Sequence, residues 1–228
     1  RNDALTQLEA LEQQVNILRV LISPTSAKTA GGIVKSSQPA AGTVTVNVDD
    51  LYNHGYRDRA LIWLASTLRQ SPDPNSRRWV AFTLGVIGDP RTAPALALVL
   101  NDADKAVRRQ AATSLGRIGT AHVVAPLAVA LKDGDREVRE KAIEALGKVG
   151  EPAVRLMVGG LTAPDGLVRR GSSDVLARIG RPAVSPLTRT LLEDDSRLAR
   201  IGAVETLGKM RDERAVASLV LALMDPDS

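Results

Sequence analysis

The chain's two histidines, His54 and His122, stand far apart in sequence, and neither stands in a His-Glu pair of the kind a di-iron site would use. There is no cysteine, which removes thiol nucleophiles, disulfides, Cys-ligated zinc and iron–sulfur clusters. What remains is too few ligands of the usual kind for a zinc site. Serine and aspartate are common, but without a close-set histidine they suggest no nucleophile triad. "GKVGEP" and "GKMRD" contain Gly-Lys without the preceding glycine spacing or the following Ser/Thr that a phosphate loop needs. "GLTAPDG" is turn chemistry. The residue types supply no catalytic centre, and no cofactor is expected.

The residues that do recur at fixed spacing are built for helices. With Gly85, Gly116, Gly147, Ala177 and Gly208 as the reference, the steps are 31, 31, 30 and 31 residues. Such a period marks stacked helical units. One position before the reference stand Leu84, Leu115, Leu146, Leu176 and Leu207. Five before stand Val80, Ala111, Ala142, Ser172 and Ala203, and nine before stand Ser76, Val107, Val138, Val168 and Ala199. Offsets of three and four fall on one helix stripe, so these side chains form a buried face. Twelve before stand Asp73, Asp104, Asp135 and Asp165, with Ser196 in the last unit; their oxygens can accept from free first-turn N–H groups. Three after stand Gly88, Gly119, Gly150 and Gly180, placed to close the helix in a left-handed conformation. Arg211 replaces them in the last unit, which predicts a differently built turn.

A further helix fills the rest of each unit, as in "TAPALALVLND" and "VVAPLAVALKD", with proline near its start at Pro94, Pro126, Pro152 and Pro182. Hydrophobic residues make up 44% of the chain and aromatics only 2%, so the core is made of Ala, Val, Leu and Ile and suits close helix packing. Each helix pair leaves an apolar flank bare that the next pair covers. The expected fold is all-α: a right-handed α-solenoid of stacked antiparallel helix pairs over residues 51–228, five pairs and a trailing half. A start at Arg1 and a stop inside a unit point to a piece of a longer chain.

Helix pairs of this length carrying "D..VR..A...LG.IG" resemble HEAT repeats, specifically the short bacterial HEAT-like class found in phycobilisome lyases, over roughly residues 57–225. The resemblance implies a hydrogen-bonded ladder between units, made by a turn aspartate and a helix arginine six residues later. Arg77, Arg108, Arg139, Arg169 and Arg200 match the arginine in every copy, while Asp102, Asp133 and Asp194 match the aspartate in three. Ser71 and Ala163 hold the other two places, where the ladder is expected to be interrupted; Arg108 is expected to brace the neighbouring turn through Asp102. The resemblance also implies that the second helix of each pair lines the concave side. Because the class includes bilin lyases, a lyase-like or chromophore-handling subunit is the enzyme alternative to a non-enzymatic protein-binding scaffold, although no chromophore site maps onto these residues.

On the second helix, the positions expected to be exposed are seven, six and three before the reference and one after. In the first two copies they read Arg78, Trp79, Phe82, Val86 and Arg109, Gln110, Thr113, Arg117; the later copies mix both charge signs, and include Gly171 and Gly202. Phe82 is the chain's only phenylalanine and Trp79 one of two tryptophans. Tryptophan and arginine are favoured interface anchors. Arg78, Trp79, Phe82, Arg109, Gln110, Thr113 and Arg117 are therefore the expected site for a protein or peptide partner. Trp79 and Phe82 are equally suited to being covered by the chain's own Val44, Val46, Leu51 and Tyr52. Nucleic acid is the rival partner: Arg117, Lys148, Arg178 and Lys209 form a basic row. Glu140, Glu144, Asp174 and Glu205 interrupt it, and these would repel phosphates.

Residues 1–22 place Ala4, Leu8, Leu11, Val15, Leu18 and Ile22 at heptad spacing. This predicts a separate N-terminal helix, able to oligomerise through residues 4–22 or to dock on its own domain. Residues 23–50 read as a flexible Ser/Ala/Gly/Pro linker, with a possible short strand at 43–48. The formal charge of +4, from 30 Lys plus Arg against 26 Asp plus Glu, is mixed rather than polycationic. No apolar run reaches the length of a membrane span, and a cytoplasmic setting is the favoured expectation.

Overall fold

The computed structural model describes residues 54–223. The expected helix at 1–22, the linker at 23–50 with its strand, and the cover drawn from Val44, Val46, Leu51 and Tyr52 lie outside the described residues. The chain divides into two compact units, residues 1–66 and 67–228. Helix α1 (His54–Gln70) spans the division, and within the first unit it exposes Ile62 and Trp63.

From residue 67 onward, long and short helices alternate. In chain order they are α2 (Pro74–Ile87), α3 (Ala93–Leu98), α4 (Lys105–Ile118), α5 (Val124–Val129), α6 (Arg136–Val149), α7 (Glu151–Gly160), α8 (Gly166–Ile179), α9 (Arg181–Glu193), α10 (Arg197–Met210) and α11 (Val216–Ala222). The even-numbered helices each span 14 residues and stack on one another in order. Of the others, α3, α5, α7 and α9 each pack beside the long helix that follows, and α11 packs on α9. This is an α-solenoid of repeated helix pairs.

The stacking follows from the 31-residue period. Leu84, Leu115, Leu146, Leu176 and Leu207 are all fully buried. Burying each stabilises the stack by about 1.5–3 kcal/mol. Beside that column the backbones come close. A Cβ on Gly116 would lie 2.7 Å from Ala145 Cβ and 2.8 Å from Ala145 Cα, so only glycine permits the α4–α6 approach. One step earlier Ser114 Oγ donates to the buried Ala81 carbonyl at 2.8 Å, tying α4 to α2.

Each long helix starts on the residue whose oxygen can cap it. Asp73, Asp104, Asp135, Asp165 and Ser196 accept from backbone N–H groups of the first turn. Helix ends differ in a way the repeated glycine does not announce. Gly88 (φ 66, ψ 19) and Gly119 (φ 66, ψ 13) are left-handed and lead into a 3-10 turn before α3 and α5. Gly150 (φ 76, ψ −133) and Gly180 (φ 72, ψ −128) instead turn the chain at once into α7 and α9, a conformation nearly confined to glycine. Arg211 corrects the expectation of a different last turn. It adopts the left-handed conformation itself (φ 50, ψ 36), and Asp212 then caps a 3-10 turn as Asp89 does after Gly88.

In its first two copies the arginine row ties one unit to the next by a different route from the one expected. Arg77 Nε and Nη2 donate to both Asp102 carboxylate oxygens at 2.7 and 2.8 Å, while Nη1 donates to the Ser71 carbonyl at 2.8 Å. Arg108 likewise takes the Asp133 carboxylate at 2.8 and 3.0 Å and, of Asp102, only the carbonyl. Asp102 Oδ1 also accepts from Asp104 N. The carboxylate therefore belongs to the arginine of the preceding unit, and Ser71 does not interrupt the ladder, because its carbonyl serves. Arg139 and Arg169 reach only carbonyls of their own turns, those of Asp133 and Gly134 and of Ala163 and Pro164. Alanine at 163 offers Arg139 no carboxylate. Asp194 accepts from Ser196 N and not from Arg169. Arg200 donates to the Asp194 and Asp195 carbonyls.

Gly116→Val is expected to destabilise the repeat region by about 1–3 kcal/mol through overpacking. Gly208→Ala, where a Cβ meets nothing within 4 Å, should instead stabilise by about 0.5–1 kcal/mol; urea titration of both variants measures the contrast. The hydrogen bonds from Arg77 hold the Asp102 carboxyl below its ordinary value of 3.8. A carboxyl depressed in the fold contributes stability above its unfolded value and loses it as pH falls through the folded one. Asp102→Ala should cost about 3 kcal/mol at neutral pH, and that deficit should shrink in urea titrations below pH 3.8.

Candidate functional site

The second-helix row exposes what stacking leaves over. Pro74 and the Asp73 cap fix the start of α2, which turns Phe82 outward with 42% of its surface exposed. Arg117, in the last turn of α4, lies over that ring with its guanidinium carbon 5.2 Å from the centroid. The pair is a cation–π contact that bridges two units. Arg78 is exposed and makes no ion pair among the described residues. Trp79 is half-buried.

The other expected site residues turn partly inward. Arg109 pairs with Glu137 of the next unit. Gln110 Nε2 donates to Ser114 Oγ at 3.2 Å, and Thr113 Oγ1 donates to the Arg109 carbonyl at 3.0 Å. Of the seven, Arg78, Phe82 and Arg117 stay open, while Arg109, Gln110 and Thr113 are engaged within the fold. The position six before the reference is not an exposed one throughout: Gly171 is buried against Leu131 in the turn after α5, and Gly202 lies beside Leu161.

Further along, charges neutralise one another. Glu144 accepts from Lys141 and Lys148, each at 2.8 Å. These two bonds draw its carboxyl down from 4.5 to about 2. Lys209 pairs with Asp174 at 2.9 Å and also donates to Ser173. The Arg178 side chain lies against Gly147. The basic row is thus divided among an aromatic ring, two carboxylates and a glycine, and does not form a phosphate track. Sequence reasoning missed a groove of about 680 Å³ between α6 and α8, lined by Ile143, Glu144, Asp174, Ala177 and Arg178. Its sequence signal is Ala177 standing where other units have glycine.

His122 is exposed on a 3-10 turn, and His54 opens α1. Among the described residues no group of three His, Cys, Asp or Glu is placed to hold a metal, and no helix is long and apolar enough to cross a membrane.

The HEAT-repeat sequence model matches residues 61–147, 93–172 and 154–228. No curated protein matches the sequence. Among solved structures, an engineered protein is similar at 20% identity, covering 72% of this chain and 85% of its own, with a TM-score of 0.43. The complex of CpcE and CpcF of phycocyanin lyase from Nostoc sp. PCC7120 is similar at 21% identity, covering 80% and 84%, with a TM-score of 0.40. A designed armadillo repeat protein is similar at 19% identity, covering 71% and 87%, also with a TM-score of 0.40.

Glu144 supplies a direct check on the electrostatics of this face. Its carboxyl is expected to titrate near 2 in the folded chain, followed by carbon-detected NMR. Its stabilising effect is present above pH 4.5 and fades toward 2. Glu144→Gln should therefore flatten part of the acid limb of stability without altering stability ratios below it.

Proposed function

This chain belongs to the HEAT-repeat family, and from that premise we propose that it is a non-enzymatic scaffold holding a partner protein or peptide on its second-helix face. The observation that carries the reading is Arg117 stacked on the exposed ring of Phe82. An aromatic ring and a guanidinium held together across two units form a ready anchor, since such residues dominate binding energy when a partner excludes water from them. Arg78 stands exposed on the same helix, and half-buried Trp79 adjoins it. Arg109, Gln110 and Thr113 complete the patch as its fixed border, each already oriented by a bond within the fold.

The patch favours a partner that brings an apolar side chain next to a carboxylate. The apolar group covers Phe82, and the carboxylate meets Arg78. Nucleic acid suits it less well, because Glu140, Glu144, Asp174 and Glu205 interrupt the row and repel phosphates.

Crosslinking and mass spectrometry in native cell extract identify the partner, and the double variant Arg78→Glu/Phe82→Ala tests the face. The expected result is loss of that partner by at least about tenfold in affinity, the weight of one good anchor. Both side chains are exposed, so the fold should be retained by circular dichroism. Unchanged affinity would sink the reading.

A further inference from the structure

The row of short helices carries its own departure from the repeat. Leu100, Leu131, Leu161 and Leu191 are equivalent and buried. The two residues before them read Leu98-Val99, Val129-Ala130, Gly159-Gly160 and Arg189-Thr190. The two adjacent glycines are the last two residues of α7. Gly160 has a packing reason, since a Cβ there would strike Ser172 Oγ. Gly159 has none: a Cβ there meets nothing within 4 Å.

Gly159 leaves the mouth of a cleft of about 530 Å³ between α5, α7 and α8 without a side chain, and the cleft is walled by Leu131, Leu156, Met157 and Val168. The equivalent groove one unit earlier, between α3 and α5, is about 250 Å³. Two features point to an occupant. Ser172 is fully buried and lines the larger cleft, and its Oγ meets no hydrogen-bond partner among the described residues. Each groove also carries one exposed cation, Arg155 on the larger and Lys132 on the smaller. Neither makes an ion pair among the described residues. Asp133, beside the smaller groove, is already held by Arg108.

We propose that this face docks an acidic amphipathic helix of a partner protein. A tyrosine of that helix fills the Gly159–Gly160 cleft with its hydroxyl on Ser172, a smaller apolar residue enters the groove between α3 and α5, and carboxylates meet Arg155 and Lys132. Spacing supports a helix. Packed helices lie about 8–10 Å apart, and seven residues of α-helix advance about 10.5 Å, so residues one heptad apart reach successive grooves. Val129, exposed between the two grooves, adds apolar contact. An extended segment has nothing to pair with, because the described surface is helical and offers no sheet edge. This surface is separate from the Phe82 face and does not depend on it.

The test uses the full chain, isotope-labelled for NMR, and two synthetic helical peptides. Both carry one tyrosine and a leucine one heptad away; one has glutamates on the flanks and the other lysines. The acidic peptide is expected to bind and to shift the amide signals of Gly159, Gly160 and Leu161, while the basic peptide does not. Gly159→Leu places a side chain at the cleft, where a Cβ meets nothing within 4 Å, and should weaken binding by about tenfold or more, as loss of one anchor does. Its melting temperature should equal or exceed that of the parent, which separates lost binding from lost folding. Phe82→Ala should bind the acidic peptide normally. The proposal is overturned by failure of the acidic peptide to bind, by equal binding of both peptides, or by full binding to Gly159→Leu. Loss of binding in Phe82→Ala alone overturns it too, by placing the peptide on the other face.

Discussion

No helix pair in residues 67–228 can bury both of its apolar flanks by itself. Leu115 is sealed only because α2 and α6 stand on either side of α4, and the same holds for the leucine of each interior unit. Everything else is subordinate to this. Small residues recur beside the leucines because the stack must close up, and Gly116 against Ala145 is where it closes most tightly. Aspartate recurs before each long helix because a helix that must begin at a fixed place needs its first N–H groups satisfied there. What is left to vary is the outside of both rows.

That freedom is used unequally. On the long helices most exposed charges find a partner in the same or the next unit, as Arg109 does in Glu137 and Lys209 in Asp174. The departure is the first pair of units, where an aromatic ring takes the place of a carboxylate under Arg117. On the short helices the departure is subtraction rather than addition, two glycines where neighbours have larger side chains. Both exceptions are deviations from a period, and the period is what makes them visible.

The local chemistry was legible in the sequence, and the crossings between units were not. Caps such as Asp104 act within three residues, and the buried stripe is a matter of spacing along one helix. The resemblance pairs Asp102 with Arg108, six residues on, whereas stacking delivers its carboxylate to Arg77, 25 residues before it. Phe82 and Arg117 were both singled out, yet their contact spans one period plus four residues and has no local signature. Gly88 and Gly150 occupy the same place in the repeat but differ in ψ. What separates them is the following residue, an aspartate that caps a 3-10 turn in one case and a glutamate that begins an α-helix in the other. Arg211 was misjudged because a non-glycine residue is uncommon in the left-handed region, although the surrounding turn holds it there.

The ladder's uneven rungs have a mechanical meaning. Between α2 and α6 each joint is riveted by a two-point arginine–carboxylate clasp in addition to its leucines. At Ala163 there is no carboxylate and Asp194 does not reach Arg169, so the joints from α6 to α10 lack the clasp. A pull or twist applied along the stack therefore meets two-point ties before α6 and none of that kind after it. The clasped joints come first along the stack and the unclasped ones follow, so its polar ties are graded along its length.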